Sequence, residues 1–184
     1  MSLPLTFYDN ALLRKKGAKV EVFDAKLKKL AAEMVDTMKV EKGIGLAAQQ
    51  IGEPIMMCLI DISRSESDVD FAYILDGKTP PLAVIMPLVL VNPVLKLDKS
   101  ESEWYEEGCL SFPGIRAEIE RPTTLECRYQ DVDGNPHTLV CNGLLARVIQ
   151  HEVDHLNGIL FIDRMPKSTV KKLWPELEAL KNRG

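Results

Sequence analysis

The chain has 184 residues, 46% of them hydrophobic and 27% charged, with a net charge of −4. That length suits one domain with its own core, and the balance carries no basic footprint of a nucleic-acid binder, so DNA is not an expected partner. Four cysteines without a C-x-x-C pair are too few and too irregular for a disulfide framework. No apolar run approaches the ~20 residues of a membrane span.

The opening residues, MSLPLTFYDNALLRKKG, lack the order of a secretory signal or transit peptide, and the chain is expected in the cytoplasm. Asp9 is the expected cap of a short helix, NALLRKKG, ending at Gly17. Asp24 starts a clearer one: Leu27, Leu30, Ala31, Met34, Val35 and Met38 recur with helical spacing. GIGLAAQQIG, residues 43–52, is small and Gly-rich, a place for close backbone approach. IMMCLID reads as a strand. LVLVNPVLKL reads as another, its proline favouring an edge or a bulge. The residues between them, SRSESDVDFAYILDGKTPPLAVIMP, read as a long loop.

Ile115, Ala117 and Ile119 alternate with charged residues, as do Leu125, Cys127 and Tyr129 with polar ones. Both stretches read as half-buried antiparallel strands. DVDGNP turns the chain into a third, HTLVC. Asn142 is the expected cap of the next helix, GLLARVIQHEVDHL, followed by a short apolar strand, ILFID. The tail from Ser168 reads as a helix with Val170, Leu173, Trp174, Leu177 and Leu180 on one stripe. The layout is α+β: antiparallel strands packed around a central helix, in a single catalytic domain spanning 1–184.

That central helix carries H-E-x-x-H. His151 and His155, four apart, share one face and can point at one metal ion. Glu152, beside the first histidine, can reach a water there and act as general base. Two histidines do not hold a catalytic metal, and three residues are candidates for the third ligand. Glu176 lies downstream, as in thermolysin-like proteases, but just after Pro175 on the amphipathic tail. His137 would give a three-histidine site, or a closed structural one, but sits beside a hairpin turn. Cys109, in EEGCLSFPG, is the strongest chemically, because a thiolate suits zinc, iron, cobalt and nickel. Cys58, Cys127 and Cys141 read instead as small buried hydrophobes.

GIGLAAQQIG, EGCLS and HEVDH, in this order, resemble the three signature motifs of peptide deformylases, and the likeness runs from about Leu5 to Arg164. The resemblance implies an α+β fold with a central metal-bearing helix. It also implies removal of the formyl group from the N-terminal formylmethionine of new polypeptides. Carried over, it makes Cys109, His151 and His155 the metal ligands and Glu152 the general acid/base. Gln50 and the Leu110 N–H become donors to the substrate oxygen, and Gly45 a backbone partner of the substrate. Ile44, Leu144 and Val148 are candidates for the methionine pocket, with core packing as their other reading. Arg116 is a candidate near the substrate backbone or a solvent-facing strand residue. Fe²⁺ is the implied working metal, with Zn²⁺, Ni²⁺ and Co²⁺ as others a Cys/His/His set accepts.

The chain departs from the family pattern in two places. Gln49 fills a position where proline or asparagine is more usual, and the segment 63–87 is longer than in short bacterial members. The basic tail (Lys171, Lys172, Lys181 and Arg183) carries the implied ribosome contact. A helix docked by its Leu/Trp stripe, with lysines in solvent, is the preferred reading of it.

Overall fold

The computed structural model describes residues 2–64 and 70–181. A 3-10 turn, Ala11–Arg14, comes first, and Asn10 caps it by accepting from the Leu12 N–H at 2.9 Å. The cap expected at Asp9 is therefore one residue late. Asp9 itself has a φ of 80°, incompatible with the extended backbone of an N-cap. Helix α1, Ala25–Val40, starts where expected, with Asp24 Oδ1 accepting from the Lys26 and Leu27 N–H groups.

Strand β1 (Gly45–Ala47) leads into a 3-10 turn, Ala48–Ile51, and then β2 (Met57–Ile60). The segment 63–87 is not all loop. It holds β3 (Tyr73–Leu75) and a one-turn helix α2 (Leu82–Ile85). Three and four residues are too few to leave a readable period. β4 (Leu88–Gly108), β5 (Arg116–Gln130) and β6 (Pro136–Asn142) follow. All pairings are antiparallel, in the order β1-β2-β4-β5-β6-β3.

Pro93 falls in the ladder irregularity between Val91 and Val94, as its lack of an N–H requires. The two stretches read as separate strands around Pro122 are one strand, β5. Pro122 pairs with Ser102 beside a second register shift, so the ladder absorbs it.

Helix α3 (Gly143–Leu156) follows β6 directly. Asn142 holds its N-cap position without capping it. The side-chain oxygen instead accepts from the Ala72 N–H at 2.6 Å, tying the 63–87 segment to the sheet. Every residue of α3 from Leu144 to Leu156 is buried. β2 explains how. Cys58 and Ile60 face the core that contains Leu145, Ile149 and Val153 of α3. Met57 and Leu59, pointing the other way, join Ala31, Met34 and Met38 of α1. The sheet thus carries a helix on each face at this end, and α3 is the enclosed one.

The expected strand ILFID is instead a 3-10 turn, Phe161–Asp163, because Asp163 reaches back to accept from the Leu160 N–H at 2.8 Å. The single tail helix is two: α4 (Lys167–Lys172) and α5 (Trp174–Lys181). Pro175, with no N–H to donate, allows a helix start but not its continuation. Leu177 and Leu180 are buried against Phe112, Ile119 and Phe161. Trp174 leaves the expected stripe, half exposed beside the Lys181 ammonium. Arg183 lies outside the described residues. No described helix is long and apolar enough to cross a membrane.

Candidate active site

The segment 109–115 is the turn joining β4 to β5, which pair up to Gly108 opposite Arg116. Cys109 opens that turn, and its carbonyl accepts from the Phe112 N–H at 2.9 Å. The turn lies against α3. Cys109 Sγ stands 3.3 Å from His155 Nε2, and ligand atoms of Cys109, His151 and His155 all lie within 4.8 Å of one another. Among the described residues this is the one such cluster with the spacing to hold a metal ion. The other two candidates are elsewhere. His137, on the outer hairpin, is held by Asp76 at 2.6 Å and Asp131 at 3.3 Å, and Glu176 is exposed on α5.

The donors fit a divalent ion of intermediate softness. Burial first, then the charges of His151 and Arg121, drive the His155 pKa well below its usual value, which leaves the neutral ring a ligand requires. His151 is oriented through its other nitrogen. Nδ1 lies 2.9 Å from Glu107 Oε2, leaving Nε2 for the shared face. Burial opposes a charge on His151, but hydrogen bonds to Cys109 and Glu107 outweigh it and hold the pKa at about 10. A cation at that nitrogen replaces a proton.

Glu107 is the hub behind the ligands. Besides His151 it accepts from Arg121 at 2.6 and 2.9 Å and from Arg147 at 2.9 Å. Burial alone raises its pKa, but these hydrogen bonds and charges hold it far below the ordinary carboxylate range. Arg121 continues to Asp154 at 2.8 Å, and Asp154 also accepts from Arg164. Two turns of α3 are thus pinned to β4 and β5 by one buried charged network. Glu107→Gln should lower metal affinity by about 10–100-fold and stability by about 3–5 kcal/mol. Chelator competition and thermal unfolding read the two effects. Unchanged affinity would show that Glu107 does not orient His151.

Glu152, on the same helix, is also buried, and burial pushes its carboxyl up to about 7, a value suited to moving protons near neutrality. Gln50 lines the same cleft from the 3-10 turn after β1. Its Oε1 accepts from the Ala47 N–H at 2.8 Å, which fixes the amide's orientation. Nε2 then lies 3.1 Å from Ser111 Oγ and 3.5 Å from Cys109 Sγ. Ser111, fully buried at the end of EGCLS, was not among the expected site residues. The only signal for it was a hydroxyl closing the motif.

A cleft of about 890 Å³ opens over these groups. Ile44, Gly45, Gln50, Cys109, Leu110, Arg116, Leu144, Val148, His151 and Glu152 all line it, while His155 lies beneath. Leu144 and Val148 also belong to the core, so both of their readings hold structurally. Arg116 is exposed at the mouth, 3.3 Å from Glu106 across the hairpin. Gln49 points away from the cleft chemistry. It is fully buried, and neither polar atom of its side chain has a partner among the described residues. Gly158 ends α3 in the left-handed region, φ 72°, the ordinary role of a glycine just past a helix. Phe161, three residues on, is buried with its ring 6.0 Å from that of His151.

A thiol and two imidazoles beside a buried carboxylate, under an open cleft, have the form of a metal-site hydrolase. The family model for polypeptide deformylase matches residues 2–171. The peptide deformylase of Opitutus terrae is 55% identical over 171 residues, 92% of this chain and 88% of that one. That of Methylacidiphilum infernorum is 41% identical over 181 residues, 98% and 94% of the two chains. A crystal structure of peptide deformylase from Plasmodium falciparum superposes with a TM-score of 0.84 at 31% identity, covering 98% of this chain and 96% of that one. The Synechococcus elongatus enzyme in complex with actinonin gives 0.77 at 35% identity, covering 98% and 85%. The chain belongs to the polypeptide deformylase family. It is an enzyme, a hydrolase that removes the N-formyl group from nascent polypeptides.

Proposed function

We propose that Cys109, His151 and His155 hold one divalent ion, Fe²⁺ in the cell, with Zn²⁺, Ni²⁺ and Co²⁺ as substitutes, and that Glu152 moves the protons. The whole chain, 1–184, is read as one catalytic domain working in the cytoplasm on formylmethionyl nascent peptides. The observation that carries this reading is the convergence of the three ligand atoms within 4.8 Å beside Glu152, in the cleft that Gln50 also lines.

A bound divalent ion supplies a Lewis acid that brings water to hydroxide near neutral pH. Glu152 takes the proton of the attacking water. As the water oxygen joins the formyl carbon, charge builds on the formyl oxygen. Gln50 Nε2, held in orientation by Ala47 and Ser111, and the Leu110 N–H donate to it. Loss of one such donor typically costs ~10²–10³ in rate. Glu152 returns its proton to the amine as the C–N bond breaks, giving formate and a free N-terminus. The methionine side chain is placed against Ile44, Leu144 and Val148, and the Gly45 backbone and Arg116 are placed along the peptide. Lys171 and Lys172, exposed on α4, are the cations through which a transient ribosome contact would run.

A formyl carbon bears only hydrogen beyond the amide, so a close-fitting site excludes bulkier acyl groups. Hydrolysis of N-acetyl-Met peptides should be slower than that of N-formyl-Met peptides by about 10–200-fold, on the scale of ~1–3 kcal/mol per misfitted carbon. Equal rates on the two would refute a formyl-shaped site.

A further inference from the structure

Glu152 is buried, yet Oε2 of its carboxylate has no hydrogen-bond partner among the described residues. No protein group bonds that oxygen, and the packing around the side chain constrains it instead. Gly45 begins β1, opposite Ile60, and the Glu152 side chain lies directly across it. A Cβ built on Gly45 would overlap Oε1 and stand 2.7 Å from Cδ and 2.9 Å from Cγ of Glu152. All three of the nearest atoms belong to that one side chain. Separations under 3.0 Å are essentially never seen for a real Cβ, and the overlap reaches past the carboxylate end to Cγ, so the whole side chain would have to move.

The requirement is one of space and not of backbone shape. Gly45 is absent from the residues with positive φ, so an L-residue can adopt its conformation without strain. Nor does a contact between the Gly45 backbone and a substrate need the Cβ to be missing on this side, because alanine keeps the same N–H and C=O.

We propose that Gly45 is a positioning residue: its missing Cβ is the seat that holds the Glu152 carboxylate in the cleft. The consequence for turnover rests on the reading of Glu152 as proton carrier. The packing itself does not, and the two can be tested apart.

The test is a double-mutant cycle on the zinc-loaded protein with Gly45→Ala, Glu152→Ala and the pair. Thermal unfolding reads the seat without reference to activity. Gly45→Ala should lower the Tm of the parent and leave that of the Glu152→Ala protein nearly unchanged, with bound zinc stoichiometric throughout. Equal losses in the two backgrounds would overturn the proposal. If Gly45→Ala fails to fold, recovery of folding in the double variant supports the seat and continued failure overturns it.

Kinetics on a formyl-Met peptide reads the consequence. A displacement of the carboxylate on the order of 1 Å should lower kcat by about 10²-fold, with KM within twofold. In a Glu152→Asp background, one methylene shorter, Gly45→Ala should cost much less. A raised KM at unchanged kcat would make Gly45 a substrate contact alone and overturn the positioning role. A parent that releases no formate would defeat the functional reading and leave the unfolding cycle to judge the seat.

Discussion

Glu152→Gln should lower kcat on a formyl-Met peptide by about 10²–10⁴-fold, the usual contribution of a general acid/base, while bound metal stays stoichiometric. The substitution is nearly isosteric, so the side chain still fits against Gly45 and α3 keeps its packing. What is lost is the ability to take and return a proton. Burial raises the Glu152 carboxyl to about 7, so the native group exchanges protons readily near neutrality and the amide does not at any working pH. Stability should change little, because the amide keeps the shape and packing of the carboxyl. Rate measured beside metal content separates this outcome from simple metal loss. A variant with near-native kcat would remove Glu152 from the chemistry.

Cys109→Ser should cost more in binding than any change behind the ligands. Loss of an outer partner such as Glu107 costs about 10–100-fold in affinity, and loss of a direct thiolate ligand should exceed ~10²-fold. A serine hydroxyl is neutral near pH 7 and a far weaker donor to these metals. The fold should survive, since Cys109 is only partly buried and the turn is held by its own backbone bonds. Activity should disappear together with the metal. Glu176→Gln and His137→Ala, by contrast, should leave both in place, because neither residue reaches the cleft. A Cys109→Ser protein that keeps its metal at native affinity would mean another residue is the third ligand.

The parts of this site that lie on one helix were legible in the sequence. Spacing alone puts His151 and His155 on one face, with Glu152 beside them, and Asp24 announced α1 by its cap. The third member was not fixed by spacing, because Cys109 reaches the helix only through the β4–β5 hairpin, whose turn no periodicity places in space. Chemistry ranked it first, and resemblance to a family chose it. The charged network was less legible still. No motif or spacing marks Arg121 or Glu107 in the sequence. Their burial becomes evident only once β5 crosses α3 and the two charges, with Arg147 and Asp154, compensate one another. Asp154 pairs with Arg121 and Arg164, while Arg147 goes to Glu107. Errors in the fold gather where a few side-chain bonds override pattern. Asp163 converts an apolar run into a 3-10 turn, Asn142 bonds to a neighbouring segment in place of its own helix, and Pro175 divides an amphipathic tail. Gly45 looked like a backbone partner for a substrate, and only the packing of β1 against α3 brings Glu152 into the space beside it.

The most direct measurement is formate release from formyl-Met-Ala-Ser by the chain purified anaerobically and loaded with Fe²⁺. The expected result is stoichiometric formate and free amino terminus, lost on chelation and restored by adding the metal back. No formate from fully loaded, folded protein would contradict the assignment, and formate release unaffected by complete metal removal would contradict the role given to Cys109, His151 and His155.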